Sequence, residues 1–438
     1  MSTFKPNEIL KNTHLQTRLV HTQAIGPEGF KSLSTPVYRG SSLFFENTAA
    51  QRAAINPLGL DYSYGVHGNP TQFTLAKKLA MLEGCQHGLI VPSGLSAIAT
   101  TVLGLLKTGD HWLLPDNVYG PAQLLAKDLA CSAGISFSTY NPMDLQTLAN
   151  QLTPETRLVW VEAPGSLTFE TPDLAELKKI VKQDFFDLVA QRKHSGNLSS
   201  DKKSADNPLS QAAVRTPLLA IDNTYAAGIA FKPFEFGFDV SVQALTKYQC
   251  GHADVLMGAV LADNTEVFAA IERKNRVLGL CVSPEDCALV LRGLLTLPLR
   301  YHHQAENALQ IAKWLQAQPE VLCVLHPLMP DAPGHQAFVN HFSAAASVFS
   351  VVFKPEFTDN HAAAFVDELK LFHIAYSWGG PESLATVVQL PPARFNGLRQ
   401  QYRRNAGPTV RLCIGLEAPE DLITDLQESL GKMHRQCT

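Results

Sequence analysis

From about residue 70 the chain alternates short apolar runs with stretches of helical period, and this alternation restricts it to one class of fold. Strands are expected at 88–91, 111–114, 157–162, 218–221, 240–245 and 255–261, and helices at 71–83, 94–106, 121–133 and 172–181. Strands interleaved with helices of this length indicate an α/β domain with a mainly parallel sheet. In such sheets ligands sit beyond the carboxyl ends of the strands. The residues to inspect are therefore Ser93-Gly94, Asp116, Glu162, Asp222 and Thr246-Lys247.

The flanking regions read differently. Residues 1–62 have weak periodicity and many turn formers, with an extended-looking run at 35–45. They are expected to form an arm that packs on a neighbouring subunit. The large domain spans 63–293, and its pattern lapses between 183 and 216. Residues 192–208 are polar and nearly free of large apolar side chains, so burial cannot offset the entropy of ordering them, and a mobile surface insertion is expected. The sequon at Asn197 and the S-x-x-K match at Ser200–Lys203 lie in this stretch and read as chance. A second α+β region is expected over 294–438. There Ala308, Ile311, Ala312 and Leu315 share one helical face, as do Leu422, Ile423, Leu426 and Leu430, with Gly431 as a C-cap. Strands at 346–352 and 409–414 alternate with these helices.

Composition excludes several classes of partner. A formal net charge of −4 with only 17% charged residues argues against nucleic acid and anionic membrane. The eight cysteines are scattered without a C-x-x-C, as expected of reduced thiols in a cytoplasmic protein. The fifteen histidines show no metal spacing, so no metal is expected. Residues 1–25 hold no apolar core of a secretory signal. The uncharged run 89–106 is long enough to suggest a membrane span, but Pro92-Ser93-Gly94 divides it into a short strand and a helix.

Five features, four of them where strands give way to turns or helices, can carry chemistry. Lys247 ends the run that starts at Val240. It either leaves the sheet for solvent or offers a desolvated, neutral amine of the kind a Schiff-base enzyme uses. Asp222 ends another apolar strand, as a turn residue or as the partner of a cationic ring nitrogen. Ser93-Gly94-Leu95 opens a helix after a strand, where backbone N–H groups favour an anion. No G-x-G-x-x-G or P-loop accompanies it. Tyr119 starts another helix and either stacks on a flat ligand or packs at an interface. Arg411 sits inside an apolar run and requires an anion, which is either a structural carboxylate or that of a substrate.

Seven blocks in order extend this reading: Tyr64-Gly-Val-His-Gly-Asn-Pro-Thr71, Pro92-Ser-Gly94, Glu162-Ala-Pro-Gly-Ser166, Ile221-Asp-Asn-Thr224, Thr246-Lys-Tyr with Gly251-His-Ala-Asp254, Tyr376-Ser-Trp-Gly-Gly-Pro-Glu-Ser-Leu384, and Arg411 with Gly415-Leu-Glu417. They resemble the Cys/Met-metabolism family of pyridoxal-phosphate enzymes, fold type I, from roughly Thr35 to the C-terminus. The resemblance implies that Lys247 carries the cofactor, that Asp222 pairs with its ring nitrogen and that Tyr119 stacks on the ring. Gly94, Leu95 and Thr246 would hold the phosphate, with Tyr64 reaching in from a neighbouring subunit of a homotetramer. Arg411 would take the substrate α-carboxylate, assisted by Ser377 and Trp378. Trp378 and Ser166 resemble the β-lyase branch, which implies α,β-elimination of L-cystathionine to homocysteine, pyruvate and ammonia in methionine biosynthesis. A γ-synthase or γ-lyase chemistry on the same fold is the alternative, followed by a non-catalytic oligomeric module. Two positions depart from the family pattern. Val66 stands where an arginine is usual, with His67 beside it as a substitute, and Ala244 stands where a serine is frequent.

Overall fold

The computed structural model describes residues 14–21, 32–53, 62–194, 215–390 and 406–433. Its first sheet is built from β1 (His87–Val91), β2 (His111–Pro115), β3 (Ser136–Tyr140), β4 (Thr156–Glu162), β5 (Leu218–Asp222), β6 (Val240–Ala244) and β7 (Gly258–Ala262). The spatial order is β1-β7-β6-β5-β4-β2-β3. The strands from β6 to β3 run parallel, while β7 is antiparallel to both its neighbours. A mainly parallel α/β sheet is thus present, as expected. Glu162 on β4 lies beside Asp222 on β5, which lies beside Val242 on β6, so these strand ends form one rim.

Local chemistry sets the elements that lead into this rim. Asn69 caps the helix Pro70–Glu83 by accepting from the N–H groups of Thr71 and Gln72 at 3.0 and 3.1 Å. Gly84, at φ 85°, ends that helix in a left-handed cap. Ser93 caps the helix Gly94–Leu105 through the N–H of Ser96, so the run 89–106 is a strand and a buried helix. Beneath the sheet, Trp112 and Trp160 are fully buried with ring centroids 5.8 Å apart.

The second sheet holds β8 (Val321–Leu325), β9 (Val348–Phe353), β10 (His373–Ile374), β11 (Leu384–Val388) and β12 (Thr409–Cys413), in the order β10-β11-β12-β9-β8. Helices Leu297–Gln316 and Pro419–Met433 bury Ala308, Ile311, Ala312, Leu315, Leu422, Leu426 and Leu430 in one cluster against it. No helix among the described residues is long and apolar enough to cross a membrane.

Two expectations are corrected, on the insertion and on Gly431, and other features add to the sequence reading. Part of the expected mobile insertion is ordered, because a helix spans Phe185–His194 and buries Phe185 and Val189 in the main core. Two large apolar side chains four residues apart supply the anchoring that the following polar stretch lacks. The sequon and the S-x-x-K match lie outside the described residues. Gly431 is inside the final helix and does not cap it, since the helix runs on to Met433, two residues later, whose side chain is buried. β3 was not foreseen: its Ser-Phe-Ser-Thr-Tyr sequence belongs to a sheet edge, where half-exposed polar residues replace an apolar run. The 35–45 run forms no strand, only an isolated bridge from Ser42 to Tyr64. In the arm, the helix Leu15–His21 packs on its own chain, where the Leu19 carbonyl accepts from Lys78 Nζ at 2.7 Å.

Candidate active site

Lys247 leaves the end of β6 in a tight turn, its N–H bonded to the carbonyl of Ala244 at 3.1 Å. Its amine donates to Ser377 Oγ at 2.7 Å and lies 5.4 Å from the centroid of the Trp378 ring. Burial, reinforced by the positive charge of Arg411, lowers its pKa to about 8. A neutral amine is therefore accessible near neutrality, and the reading in which Lys247 simply leaves for solvent does not apply.

Asp222 stands at the end of β5, with its Oδ1 accepting from the N–H of Thr224 at 3.0 Å. Burial raises its pKa, opposed by the Thr224 hydrogen bonds and by the charge of Lys247. The hydroxyl of Thr224 accepts from the N–H of Ala244 at 2.9 Å, tying the ends of β5 and β6 together. Tyr119 presents a 43% exposed side chain at the same rim, and its N–H donates to Glu162 Oε2 at 2.7 Å. Burial and the nearby charges of Asp222 and Glu162 hold its phenol above the usual range.

A cradle lies beside these groups. A Cβ on Gly94 would meet Ala244 Cβ at 2.7 Å, so only glycine lets the helix start approach β6 this closely. The N–H groups of Gly94 and Leu95 have no acceptor among the described residues, as befits the first turn of a helix. Thr246 behaves differently from the expectation. Its hydroxyl donates to the Met257 carbonyl at 3.2 Å and accepts from the Met257 N–H at 3.0 Å, so its proton is engaged in the turn.

Arg411 on β12 donates from Nη2 to the Ser377 carbonyl at 3.1 Å. No carboxylate among the described residues pairs with it, which removes the structural ion pair as an explanation. Ser377 itself is held at φ 79°, in the left-handed region. Lys247, Ser377, Trp378 and Arg411 therefore converge although the two sheets supply them separately.

Tyr64 does not join them: its side chain is 50% exposed, and among the described residues its ring neighbour is His67 at 6.5 Å. His67 is bonded to Ser63 Oγ at 2.8 Å, and burial and the charge of Arg276 hold its pKa below 6.5. A ring that is neutral at pH 7 offers one N–H and no charge, so His67 is a weak replacement for an arginine at Val66.

Sequence reasoning missed the layer beneath Lys247. The hydroxyls of Tyr248 and Ser347 are 2.8 Å apart, and Ser347 Oγ lies 3.5 Å from Cys413 Sγ. That sulfur accepts from the N–H of Gly379 at 3.3 Å, and the Tyr248 ring packs edge-on to Trp378 at 5.5 Å. The period-2 alternation of β12 was a usable signal, since it places Cys413 on the same face as Arg411.

The orphaned N–H groups at Gly94 and Leu95, the glycine-only approach to Ala244, the Asp222 carboxylate and the Lys247 amine together fit pyridoxal 5'-phosphate. Comparison with known proteins agrees. The family described as Cys/Met metabolism PLP-dependent enzyme matches residues 16–190 and 209–431, and the gap falls in the expected insertion. The chain is 32% identical to the cystathionine beta-lyase of Haemophilus influenzae over 425 residues, covering 96% of this chain and 98% of the relative. It is 30% identical to that of Escherichia coli over 421 residues, with coverage of 96% and 98%. The crystal structure of cystathionine gamma synthase from Xanthomonas oryzae pv. oryzae with aminoacrylate and cysteine superposes with a TM-score of 0.79 at 28% identity, covering 97% of this chain and 99% of that one. A match of this extent, on a groove that fits pyridoxal phosphate, makes this chain a member of the Cys/Met metabolism family of PLP-dependent enzymes.

Proposed function

We propose that the chain is a carbon–sulfur lyase that splits L-cystathionine by α,β-elimination into homocysteine, pyruvate and ammonia. The carrying observation is the Lys247 amine, tuned to about 8 and held at Ser377 beside an Arg411 that has no carboxylate partner. Named relatives with cystathionine beta-lyase activity support the substrate class.

The residues divide the work as follows. Lys247 would hold the cofactor aldehyde, Asp222 the ring nitrogen, and the N–H groups of Gly94 and Leu95 the phosphate, with Thr246 flanking it. Bound pyridoxal phosphate supplies an electron sink for charge developing at the substrate Cα. Arg411 grips the α-carboxylate through its planar fork and fixes the substrate, so that the Cα proton faces Lys247. Lys247, freed and neutral, removes that proton at Nζ, and Ser377 orients the amine while it does so. Asp222 would favour positive charge on that nitrogen. Tyr119 would stack on the cofactor ring and help poise the proton transfers, and Trp378 walls the side where the sulfur leaves.

The chain is further read as a cytoplasmic homotetramer, on its free thiols and on the exposed Leu33, Phe44 and Tyr64 of the arm and the loop after it. In that assembly Tyr64 reaches a neighbour's phosphate. The division into 63–293 and 294–438 is supported by a separate sheet on each side of the turn between helices Pro284–Leu294 and Leu297–Gln316.

The gamma-synthase likeness favours one second reading, transfer of cysteine onto an activated homoserine. Product analysis separates the two. Pyruvate from L-cystathionine is expected; cystathionine formed from cysteine and O-succinylhomoserine, without pyruvate, would replace the lyase with the synthase.

A further inference from the structure

A cavity of about 520 Å³ opens at the other end of the first sheet from Lys247. Its wall includes Asp110 and Arg157, next to the starts of β2 and β4, whereas the active-site rim lies at the ends of the parallel strands. A strand of five to seven residues separates the two sites by roughly 15–25 Å.

Basic side chains from four segments converge on this cavity: Lys107 after the helix Gly94–Leu105, Arg157 on β4, Arg215 before β5, and Arg273 and Lys274 on the helix Thr265–Val277. The one acid in the wall is Asp110. Its Oδ1 lies 3.7 Å from Arg157 Nε and its Oδ2 accepts from the N–H of Lys107 at 2.9 Å. Arg157 also donates to the carbonyls of Pro154 and Thr156 at 2.6 and 3.0 Å, which locks its fork in place. The side chains of Lys107, Arg215, Arg273 and Lys274 have no acidic partner among the described residues. Five cations against one carboxylate, in a chain of net charge −4, concentrate positive potential at one concave spot. Among the described residues Asp110 is the one carboxylate of the wall that offsets their mutual repulsion.

The floor is apolar. Leu103, Leu106 and Ala270 line it, and Val277 stands 74% exposed at its edge. The two helices meet closely there because Gly104 has no side chain, and a Cβ would lie 2.8 Å from Ile271 Cα. The volume falls within the roughly 300–1,000 Å³ of small-molecule pockets. A multiply charged head suits the cations and a flat apolar body suits the floor.

We propose that this cleft binds a nucleoside di- or triphosphate, at a site separate from the cofactor groove. The test is calorimetric titration of the pyridoxal-phosphate-loaded enzyme, whose own phosphate site is filled, with ADP and with inorganic pyrophosphate. ADP is expected to bind at one site per chain, more tightly than pyrophosphate and more weakly as salt rises. The double substitution Arg273→Glu, Lys274→Glu is expected to weaken ADP by roughly tenfold or more while leaving cofactor absorbance and turnover unchanged. Lys107→Gln, on a different segment, provides the same readout should the pair impair folding. Absence of saturable heat with millimolar ADP, or ADP affinity untouched by both variants, would overturn the proposal. Pyrophosphate binding as tightly as ADP would overturn the role given to the apolar floor.

Discussion

The Lys247 amine donates to Ser377 Oγ across 2.7 Å, so one hydrogen bond joins a strand end of the first sheet to a loop of the second. Lys247→Ala is expected to reduce pyruvate formation from L-cystathionine by roughly 10⁴-fold, as befits loss of the proton-moving base. A variant with near-normal turnover would remove Lys247 from the mechanism.

Ser377 offers a cleaner probe of the same bond. Its φ of 79° suits glycine, so Ser377→Gly removes the hydroxyl and relieves backbone strain in one step. Turnover is expected to fall roughly tenfold, the worth of one orienting hydrogen bond, with thermal stability unchanged or raised. Unchanged turnover in steady-state assays would show that Ser377 does not position the amine.

The pH dependence of cofactor uptake follows from the lysine. Only the neutral amine attacks an aldehyde, so uptake of pyridoxal phosphate by the stripped protein should accelerate with pH, with a midpoint near 8. Arg411→Leu removes a positive charge that opposes protonation, so the midpoint should move upward. Stopped-flow absorbance across pH 6–10 reads both, and a midpoint that stays put in the variant contradicts the electrostatic role of Arg411.

Glu83 predicts an unusual stability profile. It is fully buried, and desolvation raises its pKa from 4.5 to about 7 despite hydrogen bonds from Asn223 and Gln243. Between those two values the folded chain keeps a proton that the unfolded chain has lost, so this group's contribution to stability declines as pH rises and levels off above about 7. Glu83→Gln should add on the order of 2 kcal/mol in urea unfolding at pH 8 and much less at pH 5. An equal change at both pH values would contradict burial as the cause.

The close approach at Gly94 is testable through stability and cofactor together. Gly94→Ala drives a Cβ to within 2.7 Å of Ala244 Cβ, an overpacking that costs about 1–3 kcal/mol. Cofactor affinity, measured by equilibrium dialysis, should fall with it, because the orphaned N–H groups move away from the phosphate.

The positions of Gly94, Asp222, Lys247 and Arg411 were legible because each ends or lines an element whose period is visible in the sequence. Strand alternation stops at Asp222 and at Lys247, and ligands gather where parallel strands end. The Tyr248–Ser347–Cys413 contacts were not legible, since they join segments 99 and 66 residues apart through side chains that individually read as core. β3 and the helix Phe185–His194 were missed for a related reason: an edge strand need not look apolar, and two anchoring residues suffice for a short surface helix. Thr246 received its phosphate role from the family resemblance, and only the turn geometry reveals that Met257 engages its hydroxyl.

Arg411 on β12 donates to the carbonyl of Ser377, whose hydroxyl in turn accepts from the Lys247 amine. Without those residues the lysine would lack both the hydroxyl that receives its amine and the positive charge that opposes its protonation. The lowered pKa of the amine, about 8, therefore depends on burial and on a charge that the second sheet supplies. The reactivity of this amine is thus a property of the two sheets together and belongs to neither alone.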